Sequence, residues 1–139
     1  MKNYARILLA AAFLGLGLAA QAEIRPEVSV TVPFNFVADG NTLPAGTYRV
    51  GRVSSDPLSV QQLRNRDKNI AVFVDPVEAE TTSVDMPVVR FKQVGNQFFL
   101  SSIQTEAGVF NFQVSRSANP ETAARSIKNI SVSAVPTSN

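Results

Sequence analysis

Between Val28 and Phe36 the chain alternates with a period of two. Val28, Val30, Val32, Phe34 and Phe36 are apolar, and Ser29, Thr31, Pro33 and Asn35 separate them. In an extended strand this spacing sends every apolar side chain to one face, so the segment predicts a half-buried β-strand. Pro33 has no N–H to give to a ladder, which places that stretch at an edge or beside a bulge. Asp39-Gly40-Asn41 and Leu43-Pro44-Ala45-Gly46 then carry turn chemistry, with Pro44 suited to the second position of a type I turn and Gly46 to its fourth.

The same pattern recurs along the chain. Thr47 to Ser54 predicts a second strand with Tyr48 and Val50 on one face. Strict alternation would put Arg52 inside and Val53 outside, and a bulge at Gly51 would return Val53 to the core. Leu58 to Asn65 predicts a third, irregular strand, because Val60 and Leu63 are three apart. Arg66-Asp67-Lys68-Asn69 reads as a hairpin loop into a fourth strand, Ile70 to Val74, and Pro76 to Pro87 as a long polar connection.

The clearest hairpin is Val88 to Val94, Gly95-Asn96, Gln97 to Gln104. Gly at the first of two loop positions calls for a type II′ turn, and a two-residue loop sets Phe91 opposite Leu100 and Gln93 opposite Phe98. Val89, Phe91, Phe98 and Leu100 then share the core face, while Arg90, Lys92, Phe99 and Ser101 face out, with the Lys92 stem over the Phe99 ring. A seventh strand carries Phe110, Phe112 and Val114 on one side. Asn119-Pro120-Glu121 has the form of a helix start, predicting a short helix over Pro120 to Lys128. Ile130 to Val135 is an eighth strand or a fraying end.

Seven or eight short strands with turn signals between them, and no helix between consecutive strands, predict an all-β domain: a single antiparallel β-sandwich or small β-barrel with a short C-terminal helix.

The start of the chain has a different character. Lys2 and Arg6 are followed by the 12-residue apolar run Ile7 to Leu18 and by Ala20-Gln21-Ala22, the layout of a secretory signal cut between Ala22 and Glu23. The run is short of the roughly 20 apolar residues of a spanning helix. The expectation is a cleavable leader over 1–22, one β domain over 23–135 and a loose tail over 136–139, in a protein that is exported, periplasmic or extracellular. Of 13 Lys+Arg and 11 Asp+Glu, Lys2 and Arg6 alone belong to the leader, which leaves eleven of each sign after it. A neutral domain has no global field to draw it onto nucleic acid. There is no Cys for a disulfide, so stability must come from burial, and eight Phe follow the leader to supply it.

Val32-Pro33-Phe34-Asn35-Phe36-Val37, Gly40 and Leu43-Pro44-Ala45-Gly46-Thr47-Tyr48-Arg49-Val50 resemble the opening of a group of small exported bacterial proteins of unknown function. Ala71-Val72-Phe73-Val74 with Pro76-Val77-Glu78, and Phe91 with Phe98-Phe99-Leu100-Ser101, extend the resemblance over most of Val28 to Ser102. Ser115-Arg116-Ser117 and Asn119-Pro120 match the group's helical end only loosely. The resemblance implies export and an all-β fold, and brings no activity and no site residue with it.

The chain has neither His nor Cys. That removes Ser-His and Cys-His nucleophiles, imidazole acid–base chemistry and ordinary zinc sites. A carboxylate pair of the glycosidase kind stays open, but the acids are scattered, so no catalytic, cofactor-binding or metal-binding residue is assigned and no cofactor is expected. Asp75, Glu78, Glu80 and Asp85 lie on one loop without the spacing of a calcium loop, and read as a solvated acidic segment. Arg49, Arg52, Arg64 and Arg66 make a basic patch if the second and third strands pair, or ordinary cations that deter sheet-to-sheet aggregation. Asn129-Ile130-Ser131 fits a glycosylation pattern that has no meaning beside a bacterial-looking leader. The strands are too short for an outer-membrane barrel.

The expected function is therefore that of an exported, non-enzymatic β domain acting by binding or structural association with a protein, glycan or envelope partner. A carrier of a small apolar ligand in a barrel interior is the alternative, and it requires a cavity of several hundred Å³ lined by Phe. A carboxylate-based hydrolase is a second alternative, requiring acids that converge in a cleft.

Overall fold

The computed structural model describes residues 27–82, 85–114 and 127–137. The expected leader lies outside them. Eleven strands follow one another: β1 (Glu27–Val32), β2 (Phe36–Ala38), β3 (Asn41–Leu43), β4 (Gly46–Arg52), β5 (Gln61–Asn65), β6 (Ile70–Val74), β7 (Glu78–Glu80), β8 (Val88–Val94), β9 (Gln97–Thr105), β10 (Gly108–Asn111) and β11 (Ile127–Thr137). The described residues are all-β and contain no helix. The strands form one curled sheet, open as a half-barrel, in the order β3-β2-β9-β8-β11-β1-β4-β5-β6, with β10 against β9 and β7 against β10. Every pairing is antiparallel except the contact of β2 with β9 at Val37 and Phe99.

Alternation works as expected in β1, where Val28, Val30 and Val32 are buried. The single strand expected from Val28 to Phe36 is broken at its proline. β1 ends at Val32, and β2 starts at Phe36 in the other half of the sheet. Pro33 marks a corner, because a residue without an N–H costs nothing where the chain leaves its ladder.

The β8–β9 hairpin has the expected register, with Phe91 opposite Leu100, Lys92 opposite Phe99 and Gln93 opposite Phe98. Gly95 has φ 62°, and Asn96 is not among the residues of positive φ, as a type II′ turn requires. A bulge beside Arg90 and Phe91 then inserts one residue on β9, so that Val89 faces Ile103. Both are buried.

Several expectations are corrected. No bulge occurs at Gly51. The β1–β4 and β4–β5 registers run unbroken through it, and Val53 stays outside with 42% of its surface exposed. β5 is regular and not irregular: Gln61, Leu63 and Asn65 alternate inward, two of them polar. The connection from Pro76 to Pro87 contains β7. The helix expected over Pro120 to Lys128 falls largely outside the described residues, and Ile127 and Lys128 are strand. β11 neither frays nor stops at Val135. Pro136 and Thr137, expected to be loose, pair with Val28 and Glu27. With β8 on one side and β1 on the other, this strand joins the two halves of the sheet.

The core lies on the concave side. A chain of rings crosses it: Phe98 stacks on Phe34 at 4.1 Å, Phe34 meets Phe91 edge-on at 5.2 Å, and Phe91 leads through Phe36 to Tyr48. Such contacts add about 0.5–1.5 kcal/mol per pair to the burial itself. The phenylalanines do not all share this interior. Phe99, expected to face out, is buried, and both it and Phe110 lie apart from the main cluster. Phe73 is 53% exposed.

Candidate functional site

Several residues of the segment from Asn35 to Tyr48 are tied together around one loop. Tyr48, fully buried, donates its hydroxyl to the Pro44 carbonyl at 2.6 Å. Asn35 Oδ1 accepts from the Ala45 N–H at 2.9 Å, and Lys68 Nζ donates to the Ala45 carbonyl at 2.9 Å. Asn65, inward on β5, accepts from the Lys68 N–H at 3.1 Å. A Cβ on Gly46 would lie 2.6 Å from Asn65 Nδ2, so a side chain here would push the Asn65 amide out of its place. Burial raises the Tyr48 pKa above its ordinary value, and a hydrogen bond with Asn65 offsets part of the rise. Each of these groups is spent on holding the loop. Asn65 and Gln61 escaped the sequence reading because inward polar residues break the apolar alternation on which it relied.

The arginines are only partly assembled. Arg49 on β4 stands directly opposite Arg64 on β5, both on the convex face. Arg49 Nη1 lies 3.9 Å from Glu27 Oε2, and Arg64 Nη2 donates to Gln62 Oε1 at 2.9 Å. Arg52 has the opposite parity, and Arg66 sits in the β5–β6 turn. None of the four is on the edge strand β6.

The acidic segment is spread out as well. Glu78 and Glu80 are exposed at the two ends of β7, and Asp75 and Asp85 are exposed in the chain on either side. Among the described residues no three acids come together as a metal site.

A cavity of about 150 Å³ opens where the end of β6 approaches β9, lined by Asp39, Val74, Asp75, Val77, Leu100, Phe112 and Gln113. It is about half the volume of the smallest usual ligand pockets. One phenylalanine lines it. Both carboxylates are solvent-exposed.

The sheet edges differ sharply. An edge strand presents N–H and C=O groups without partners, and proteins usually blunt such edges by shortness, charge, proline or a bulge. β3 has three residues, of which Asn41 and Thr42 are polar and exposed. β7 also has three, and two are glutamates. β6 carries none of these devices. It is Ile-Ala-Val-Phe-Val, without charge, proline or glycine, in unbroken register with β5 from Gln61–Val74 to Asn65–Ile70. Among the described residues it has no second neighbour. Val74 is buried, Ile70 and Val72 pack against the core, and Ala71 and Phe73 face solvent. Its inward face anchors the strand on the core, and among the described residues no other strand takes up the ladder groups of its outer edge.

No protein-family model, no curated protein and no solved structure matches this chain. No helix among the described residues is long and apolar enough to cross a membrane.

Proposed function

We propose that this chain is an exported, non-enzymatic β domain that works by association in the cell envelope or outside the cell, receiving an extended strand of its partner along β6. The observation that carries this reading is the contrast between that open, charge-free edge and the short, polar edges elsewhere in the sheet. Strand addition to such an edge draws affinity from main-chain hydrogen bonds and selectivity from alternate side chains, here Ala71 and Phe73 on one face. Two further features support it. Aromatic rings occupy the concave side, where an apolar ligand would otherwise sit. The polar groups of the Pro44–Gly46 loop are engaged with one another.

A photoreactive residue at Ala71, in cells exporting the full chain, tests the reading against the same residue at Thr42 on the blunted edge. Adducts at Ala71 and none at Thr42 are expected. Equal labelling at both positions, or none at either, rejects β6 as the association site.

A further inference from the structure

We infer that the strand received by β6 is the β6 of a second copy of this chain, paired antiparallel about a two-fold axis through Val72. This rests on the reading of β6 as an association edge and adds the identity of the occupant.

The argument is one of self-complementarity, which a two-fold interface demands because the same patch must serve both sides. In an antiparallel pair, directly opposite residues point to the same face. A two-fold at Val72 therefore sets Ala71 of each copy opposite Phe73 of the other. The large exposed ring meets the smallest side chain of the strand on the convex face, twice. On the concave face Ile70 meets Val74, extending the apolar interior across the junction. A shift by one residue would turn each copy's core face toward the other's solvent face, so the pleat excludes it.

Charge agrees with this register. The turn before β6 carries Arg66, Asp67 and Lys68, net positive, and the chain after it carries Asp75 and then Glu78. Antiparallel pairing lays the positive end of each copy along the negative end of the other, with Asn69 opposite Asp75 and Lys68 next to it. Parallel pairing would superpose like charges. The strand itself has no charge to oppose a second copy. A five-residue edge covers only part of the roughly 800 Å² per partner of a standard interface, which places the dimer among weak, transient associations.

The test needs no other partner: light scattering and sedimentation of the purified full chain, as the exporting cell delivers it, between about 1 and 500 µM. The expected result is a monomer–dimer equilibrium. Two double variants then probe the register. Ala71→Glu with Phe73→Glu brings like charges together across the two-fold and should abolish the dimer. Ala71→Glu with Phe73→Lys brings opposite charges together and should keep it. In both, position 71 faces Arg64 of its own chain, so the fold tolerates the acid, and the thermal midpoint of each variant verifies this. A wild-type chain that stays monomeric throughout, or a dimer that treats the two variants alike, overturns the inference. A monomer whose Ile70–Val74 amides are protected from exchange by an added extended peptide also overturns it, yet leaves the association edge standing. A monomer without such protection removes both.

Discussion

The two hairpins on either side of the sheet's middle are built on different principles. β8–β9 is held by apolar burial: Val89, Phe91, Leu100 and Ile103 are all buried, and Phe91 sits between Phe34 and Phe36. β4–β5 buries polar groups beside its apolar ones, with Asn65 and Gln61 flanking Leu63, and Tyr48 bonded to a carbonyl four residues before it. A hydrophobic hairpin announces itself in the order of its residues. A polar node does not, because a buried amide breaks the apolar alternation and is stabilising only where the fold supplies its partners, as it brings Asn65 to Tyr48.

The largest expected effect tests the apolar side. Phe91→Ala removes the ring that touches two others and should cost about 3–5 kcal/mol in urea unfolding. A loss below about 1 kcal/mol would show that the β8–β9 half does not depend on the ring chain.

Next in size, Gly46→Ala forces a methyl group against Asn65, whose Oδ1 is engaged by the Lys68 N–H. Overpacking of this kind costs about 1–3 kcal/mol. In an Asn65→Ala background the penalty of the glycine change should shrink, and a double-mutant cycle reads the coupling directly. Additive losses would mean that the close approach is not what selects glycine.

The smallest effect sharpens the contrast through pH. Tyr48→Phe deletes the hydroxyl bonded to Pro44 and should cost about 1 kcal/mol at neutral pH. Burial holds the Tyr48 phenol above its ordinary value near 10. The folded chain thus keeps a proton that the unfolded chain releases, so this group's contribution is intact below about pH 10 and declines as pH rises past that point. The Phe variant lacks that decline, and the gap between it and the wild type should narrow between about pH 8 and about pH 10.5. A gap that widens instead contradicts the desolvated phenol.

Local structure is legible in the order of residues. The core side of Val28, Val30 and Val32, the strand Ile70–Val74, and the Gly95-Asn96 turn with its register were legible. A setting supplied by distant chain is not. Phe73 reads as core by composition, yet β6 is an edge and the ring faces out. Arg49, Arg52, Arg64 and Arg66 read as one patch, but strand parity separates Arg52 from Arg49 and Arg64, and Arg66 sits in the β5–β6 turn. The candidate edge was not legible at all, since an edge is defined by the pairing of strands, and among the described residues β6 pairs with β5 alone.

What the order of residues determined on its own is the all-β character and the face to which each strand in regular alternation turns. Both follow from the two-residue repeat of an extended backbone, which acts within a single strand. Tertiary structure alone decided that β11 lies between β8 and β1, that the chain turns a corner at Pro33, and that β6 is left at the rim. The physical reason is range. Alternation says which side of a strand is apolar, whereas the choice of neighbouring strand rests on contacts between residues as far apart as Val28 and Pro136.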